Sequence, residues 1–386
     1  MDQCGAKLNK STVSISECRS YTLHEVQSAV EKSLDGIGGI QSFVKPGDTV
    51  LLKPNMLQAK SPEAFITTHP AVVEAVINIV KDAGAVPMLG DSPGGPARGM
   101  EKFWEITGFA NVCKRTGTQL VNFEKSGFYE FERKGRTYRV ARPVIDADVI
   151  INMPKIKTHG LTKFSCAVKN IYGVIPGLQK TEYHKLAPKP SDFAGIIVDV
   201  FALSKPHLNI IDGVIGMDGM GPSAGNPKEI GVVVVSDDAV AADSIICHYL
   251  GKDPMEVPTN RIAYEQGLGE ASIQNINVLG EFPTVDDFKW PANLASSIEM
   301  VPSFISRALM KLYYSRPAID PDLCTNCNTC VKSCPTDAIH GERPTPIFEY
   351  DRCINCLCCM EMCPEKAVFD YKNSIYRFIS RFSGSD

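Results

Sequence analysis

The sequence contains no long hydrophobic run and no block of like charges. Because no stretch of about 18 apolar residues occurs, we expect no membrane-spanning segment. The formal net charge of −4 over 386 residues gives no indication of nucleic-acid binding. Residues Met1 to Lys10 are polar and lack the apolar stretch of a secretory signal. We therefore expect a cytoplasmic protein.

Several common cofactor motifs are also absent. The sequence has no Walker A loop, no G-x-G-x-x-G fingerprint and no recognisable flavin or nicotinamide motif, so any cofactor besides those argued below is unknown. The 14 cysteines occur without a secretory signal, which indicates a reducing compartment and argues against a disulfide framework. The length exceeds that of one ordinary core, and we expect two or three domains.

Eight of the cysteines form two runs with one spacing near the C-terminus, C-x2-C-x2-C-x3-C-P. The first run is Cys324, Cys327, Cys330 and Cys334, and the second, 29 positions later, is Cys353, Cys356, Cys359 and Cys363. This spacing is typical of ferredoxins that hold two [4Fe–4S] clusters, in which the fourth cysteine of each run ligates the other cluster. A structural zinc site is the alternative, but zinc prefers two separated pairs of ligands.

The repeat predicts two crossed ligand sets. Cluster I is expected to bind Cys324, Cys327, Cys330 and Cys363. Cluster II is expected to bind Cys353, Cys356, Cys359 and Cys334.

The rest of the chain alternates strand-like and helix-like segments. Strands are predicted at Asp48–Lys53, Ala85–Gly90 and Val149–Met153, and helices at Ala71–Ala83 and Asp238–Leu250. This alternation predicts an α/β domain with a mostly parallel sheet and flanking helices. Phe128–Val140, with Lys134-Gly135 at its centre, is predicted to be a surface hairpin.

Four regions are expected along the chain. They are an α/β domain (1–285), a linker with an amphipathic helix over Ser303–Ser315 (286–317), a small α+β ferredoxin module (318–371) and a C-terminal tail (372–386).

Polar residues follow several of the predicted strands, at the edge where open α/β sheets bind ligands. Lys155, Lys157 and His159 belong to the segment Pro154–Gly160, which is interpreted as a basic loop. With Lys169 they form a cation cluster in an acidic protein, which indicates an anionic partner, although a solvated basic loop is the alternative. Asp243 lies among alanines of a helix and requires a partner, for which a buried lysine is a candidate.

We assign candidate roles on this basis. His159, whose ordinary pKa lies near neutrality, is the candidate acid/base group, and Lys155 and Asp212 are further catalytic candidates. The candidate binding residues are Lys53, Asn55, Asp91, Ser92, Lys157, Lys169, Asn170 and Asp243. Asp91 and Ser92 belong to the glycine-rich turn Gly90–Gly95, which could hold an anion or be a plain turn.

Seven short segments carry a family resemblance. They are Leu52–Asn55, Thr67–Pro70, Gly90–Gly94, Pro154–His159, Ala167–Gly173, Gly219–Pro222 and Ala239–Asp243. In this order they resemble the DUF362 family, which is commonly fused to a two-cluster ferredoxin. The resemblance covers about residues 12–280 and implies the architecture and candidate residues, but no reaction.

Three functions are compatible with these features. The first is an iron–sulfur oxidoreductase that relays electrons from an external ferredoxin-like protein or flavoprotein to an anionic small molecule. The second is an electron-transfer or cofactor-maturation protein that acts on a partner without chemistry of its own. The third is a non-redox isomerase or metal-dependent lyase. A flavin or a metal other than iron in the purified protein would favour the first or the third.

Overall fold

The computed structural model describes residues 10–94, 99–177, 179–187, 189–291, 315–341 and 343–373. The helix expected over Ser303–Ser315 lies outside these ranges except for Ser315, as do Gly95 and the tail from residue 374 onward. Within them, no helix is long and apolar enough to cross a membrane.

Ten strands of the described chain form one large sheet. They are β1 (Thr12–Glu17), β2 (Thr49–Pro54), β3 (Val86–Asp91), β4 (Gln119–Asn122), β7 (Val149–Met153), β8 (Lys155–His159), β9 (Lys163–Ser165), β10 (Leu208–Asp218), β11 (Asn226–Ser236) and β12 (Asn277–Leu279). The main order is β12-β1-β11-β10-β7-β2-β3-β4, and β8 pairs with β10 and β9. Most pairings are parallel, including the run from β10 through β7, β2 and β3 to β4, so the predicted α/β fold class is confirmed.

The centre of the sheet contains an antiparallel pair. β10 and β11, each 11 residues long, pair antiparallel from Asn209 to Asp218 of β10 with one register shift, and β11 also pairs antiparallel with β1. The glycine-rich segment after Met217 packs closely on β8, because a Cβ at Gly221 would lie 2.3 Å from the carbonyl oxygen of Thr158. Glycine is therefore required there by close approach of two backbones.

Helices cover both faces of the sheet. They are α1 (Leu23–Asp35), α2 (Pro70–Asp82), α3 (Met100–Ile106), α4 (Phe109–Thr116), α5 (Arg142–Asp146), α6 (Ala167–Asn170), α7 (Gln179–Leu186), α8 (Pro190–Leu203), α9 (Ala239–Tyr249) and α10 (Pro258–Glu265). Successive residues of β2 point to opposite faces of the sheet and enter two separate apolar cores. Val50 and Leu52 pack with α1, α2 and α4, whereas Leu51 packs with α8 and α9. The helix predicted over residues 71–83 is α2.

The predicted surface hairpin is confirmed. β5 (Phe128–Arg133) and β6 (Arg136–Ala141) pair antiparallel and apart from the large sheet. Lys134 and Gly135 have φ angles of 49° and 73°, which a two-residue turn of type I′ requires.

Contacts of the large domain continue past residue 285, where its end is expected. Trp290 donates a hydrogen bond from Nε1 to the carbonyl of Leu250 at 2.8 Å.

The ferredoxin module is small and repeats one motif. Its elements are β13 (Ser315–Ile319), α11 (Thr329–Lys332), β14 (Ile339–His340), β15 (Ile347–Phe348), α12 (Cys358–Met362) and β16 (Val368–Lys372). β13 pairs with β16 and β14 with β15. The two helices occupy equivalent places in the two cysteine runs.

Asp243 on α9 fixes the position of α6. Its two carboxylate oxygens accept hydrogen bonds from the backbone N–H groups of Ala167 and Val168 at 2.7 and 3.0 Å. The expected buried lysine partner is thus wrong, because the free N–H groups at the start of α6 satisfy the carboxylate instead. Burial raises the pKa of Asp243 to about 7, which these hydrogen bonds oppose.

We predict that Asp243→Ala lowers the free energy of unfolding by about 2–5 kcal/mol, because two buried N–H groups lose their acceptor. Anaerobic denaturant titration measures the change, and Asp237→Ala, at an exposed position just before α9, is the matched control. Equal stability of the two variants would contradict this role of Asp243.

Candidate functional site

Three polar side chains of β8 lie in a row on one face of the strand. Lys155, Lys157 and His159 alternate with Ile156 and Thr158, and all five are buried. The interpretation of Pro154–Gly160 as a loop is therefore wrong: β8 pairs with β10 on one side and β9 on the other. Lysine is tolerated in this buried strand because each ammonium group has hydrogen-bond or ion-pair partners.

Lys155, at the first end of the row, forms a closed ion pair. Its Nζ lies 2.8 Å from Asp212 Oδ2 and 2.8 Å from the hydroxyl oxygen of Tyr21. Tyr21 donates to Asp212 Oδ1 at 2.8 Å, and the backbone N–H of His69 donates to Asp212 Oδ2 at 2.9 Å. Both ionic side chains are fully buried. The ion pair joins β8, β10 and the start of α2. Its remaining hydrogen-bond partners, Tyr21 and His69, were not among the site residues predicted from the sequence.

A second buried pair lies at the ends of β2 and β3. Lys53 Nζ lies 2.8 Å from Asp91 Oδ1, and Asp91 Oδ2 accepts from the N–H of Met56 at 2.9 Å. Burial lowers the pKa of Lys53 and raises that of Asp91, and each partner opposes the shift of the other. The neighbouring Ser92 accepts hydrogen bonds from Lys180 Nζ through its carbonyl and hydroxyl oxygens at 2.9 and 2.5 Å.

A chain of asparagines connects these loops. Asn55 Nδ2 donates to Asn170 Oδ1 at 3.0 Å, Asn170 to Asn152 at 2.8 Å, and Asn152 to Asn209 at 2.9 Å. Asn55 Oδ1 accepts from Lys157 Nζ at 2.7 Å. The structure thus brings Asn55, Lys157 and Asn170 into direct contact, and Asn152 and Asn209, which no motif indicated, extend the chain from Asn170.

Two lysines of this region have no carboxylate within ion-pair distance among the described residues. Lys157 donates only to neutral acceptors, Asn55 Oδ1 and the carbonyl of Ile66 at 2.8 Å. The side chain of the half-buried Lys169 makes no hydrogen bond or ion pair with any residue that the structure describes. Burial lowers the pKa of both lysines, and each of them has a nearby lysine that lowers it further. With both ammonium groups protonated, the region carries excess positive charge, which an anion would offset.

Two histidines adjoin these lysines. His159 accepts at Nδ1 from the N–H groups of Leu161 and Thr162 at 3.1 and 3.3 Å, so in its neutral form Nε2 carries the proton. Burial lowers the pKa of His159 well below its ordinary value, with Lys169 as the next cause. This pKa lies below the near-neutral value on which the candidate acid/base role of His159 was based, and that role stays a prediction. His184 stacks on Phe193 at 3.9 Å, and burial lowers its pKa to about 3.

The ferredoxin module closes this region with α12. Glu361 Oε1 lies 3.3 Å from His159 Nε2, and its side chain is 12% exposed. The carbonyl of Glu361 accepts from Ser223 Oγ at 2.9 Å and from Gln58 Nε2, and Lys60 Nζ donates to the carbonyl of Pro364 at 2.5 Å. Burial raises the pKa of Glu361 to about 7, opposed by Lys169 and Lys157. We call Lys157, His159, Lys169, His184 and Glu361 the lysine–histidine pocket.

The eight cysteines of the two runs line two cavities. The first cavity is lined by Cys324, Cys327, Cys330 and Cys363, and the second by Cys334, Cys353, Cys356 and Cys359. The structure thus brings together the same two groups of four that the repeat predicts as ligands. Every cysteine within the described ranges is free of disulfide bonds.

The backbone around both cavities suits thiolate ligands. Left-handed residues occur in pairs 29 positions apart: Asn326 and Asn355, Asn328 and Leu357, Asp337 and Lys366. The fourth cysteines, Cys334 and Cys363, each accept an N–H at 3.2 Å from the residue four positions later. No group of three or more His, Cys, Asp or Glu in the described ranges is close enough to hold a single metal ion. The case for clusters therefore rests on the two four-cysteine cavities.

Comparison with known proteins agrees with the sequence resemblance. A family model described as "Domain of unknown function (DUF362)" matches residues 50–248, and one described as "4Fe-4S binding domain" matches residues 317–340. A thylakoid-associated protein of Synechocystis is 32% identical over 314 residues, which cover 80% of this chain and 97% of that protein.

Two solved structures show a more distant likeness. Lactate racemase apoprotein from Thermoanaerobacterium thermosaccharolyticum gives a TM-score of 0.43 at 11% identity, covering 63% of this chain and 57% of its own. A Thermotoga maritima protein gives 0.35 at 13% identity, covering 52% of each chain. The chain thus spans little more than half of either structure, and neither likeness transfers a residue or an activity.

We predict that Gly173→Ala disrupts the Lys53–Asp91 pair. A Cβ at Gly173 would lie 2.2 Å from Asp91 Oδ1 and 2.8 Å from Lys53 Nζ, so the buried ions must separate or the backbone must move. Breaking a buried pair costs about 3–5 kcal/mol, and the free energy of unfolding should fall by an amount of that order. Gly195→Ala in α8, where a Cβ would meet nothing within 4 Å, is the control and should be neutral or stabilising. A similar result for both variants would refute the argument.

Proposed function

Because the chain belongs to the DUF362 family and carries a 4Fe-4S binding domain, we propose that it is an iron–sulfur oxidoreductase that acts on an anionic small molecule in the lysine–histidine pocket. The proposal includes two [4Fe–4S] clusters, held by the two crossed sets of four cysteines.

The two faces of α12 are the observation that supports this function most. Cys359 of α12 and the preceding Cys356 line the second cysteine cavity, whereas Glu361 of α12 contacts His159 of the large domain. Cys358 is buried and does not line that cavity. One short helix therefore separates the proposed cluster II from the pocket, which is the arrangement that electron transfer between them requires.

The charge of the pocket supports an anionic substrate. Lys157 and Lys169 are the candidates to bind the anion, and the Nε2–H of His159 is a candidate hydrogen-bond donor to it. The Lys53–Asp91 and Lys155–Asp212 pairs are closed by short contacts and would hold the surrounding strands in place. The catalytic roles expected for Lys155 and Asp212 remain predictions, since both side chains are enclosed by protein.

The cysteine cavities suggest the direction of transfer. A bound [4Fe–4S] cluster supplies one-electron transfer. Cys327 of the first cavity is exposed, whereas Cys356 and Cys359 of the second are buried against the large domain. We therefore propose that an external ferredoxin-like protein or flavoprotein docks beside Cys327 and that the pocket lies at the opposite end of the relay.

The location of the protein is a separate question. We keep the expectation of a cytoplasmic protein as a proposal, although the Synechocystis relative is described as thylakoid-associated. Fractionation of cells that produce the full chain, with a membrane marker, distinguishes the two locations.

We predict about eight iron and eight sulfide ions per chain after anaerobic purification. Cys363→Ser should lose about half of the iron, because Cys363 lines the first cavity although it belongs to the second run. Cys358→Ser is the matched control and should keep all of it, because Cys358 does not line either cavity. Equal losses in the two variants, or stoichiometric zinc in the wild type, would reject the ligand assignment.

We also predict that Lys157→Met abolishes binding of the anion while the visible cluster spectrum stays unchanged. Methionine keeps an unbranched side chain in the buried position but removes the ammonium. Mass spectrometry of small molecules released from anaerobically purified protein should find an anion in the wild type and in the control Lys205→Met, whose side chain is exposed. Reoxidation of the reduced protein by that anion should be at least about 100-fold slower in Lys157→Met. Unchanged anion content and rate would exclude this lysine from the site.

A further inference from the structure

Glu361 is the acidic group that most strongly opposes the charge of the lysine–histidine pocket. It ranks first among the acidic influences on both Lys157 and Lys169. It comes from the ferredoxin module, whereas the pocket lysines come from β8 and α6 of the large domain. The structure thus contains a carboxylate of its own where the excess positive charge requires an anion.

The side chain of Glu361 is held less firmly than its backbone. Its Oε1 makes a 3.3 Å contact with His159 but no hydrogen bond of good geometry, and neither pocket lysine lies within ion-pair distance of it. By contrast, its carbonyl accepts from Gln58 and Ser223, and Lys60 binds the neighbouring Pro364 carbonyl. The carboxylate can therefore rotate away while backbone contacts keep the module in place.

We propose that the lysine–histidine pocket is a carboxylate site and that Glu361 is its internal occupant, which a substrate carboxylate displaces. This inference deepens the proposed function and rests on it. The substrate class is a carboxylate, because the Glu361 side chain that lies beside His159 and the two lysines carries a carboxylate on a flexible aliphatic chain.

An internal occupant weakens the apparent affinity of the external ligand in a calculable way. If the carboxylate of Glu361 fills the site about nine-tenths of the time, only about one-tenth of the molecules can bind ligand, and the apparent Kd rises about tenfold. Removing the occupant should recover that factor. Glu361→Ala also leaves space for a small carboxylate that resembles the removed group, so acetate is a suitable probe.

The test is anaerobic isothermal titration calorimetry of acetate into cluster-loaded protein. Glu361→Ala should bind acetate at least about tenfold more tightly than the wild type. Glu365→Ala, which removes an exposed carboxylate from the same module, should bind like the wild type. Adding Lys157→Met to Glu361→Ala should remove the gained affinity, because the ammonium that would bind acetate is then lost.

The outcomes separate this inference from the proposed function. Equal acetate affinity in wild type and Glu361→Ala overturns the internal occupant, as does a preference of Glu361→Ala for inorganic phosphate over acetate. If Glu361→Ala fails to keep the wild-type cluster spectrum, Glu361→Gln, which keeps the shape and removes the charge, is used with the same criteria. The proposed oxidoreductase fails instead if no anion that co-purifies with the wild type reoxidises the reduced protein, whatever acetate does in Glu361→Ala.

Discussion

The constraint on which the rest of the structure depends is the burial of lysine ammonium groups around β8. An ammonium withdrawn from water costs several kcal/mol unless an anion or several acceptors replace the lost hydration. Lys155 meets this requirement with Asp212, and Lys53 meets it with Asp91, each at 2.8 Å. These two pairs fix β8 against β10 and β2 against β3. They thereby fix the spacing between the strand ends at which the remaining polar side chains converge.

Lys157 and Lys169 depart from this pattern, and the departure gives the site its character. The two neutral acceptors of Lys157 are too few to offset its charge, and the Lys169 side chain has none among the described residues. The first-ranked acidic influence on both is Glu361 of the ferredoxin module. If stability were the only requirement, an apolar side chain of similar volume could replace such a lysine with little loss in the free energy of unfolding. Retaining both cations is therefore most simply explained by a ligand that binds them.

The sequence predicted the parts of the molecule that short-range rules determine. The cysteine spacing identified the two groups of four that the structure brings around two cavities, because a loop of fixed length must wrap its own cluster. Hydrophobic periodicity identified α2 and the parallel strands. It failed at β8, where Lys155, Lys157 and His159 look solvated because their partners lie 50 or more positions away. The partner of Asp243 was wrongly predicted for a related reason, since the backbone N–H groups that it accepts from cannot be recognised from residue types.

The contact of Glu361 with the large domain was least accessible from sequence, yet the internal repeat explains why the second run docks and the first does not. The two runs share their cysteines and left-handed residues, but Lys332 of α11 stands at the position that Glu361 occupies in α12. A lysine there would face two further lysines in a buried region and would be repelled. Charge at this one position therefore favours contact of α12, and not of α11, with the pocket, and so favours cluster II as the cluster nearer to the substrate.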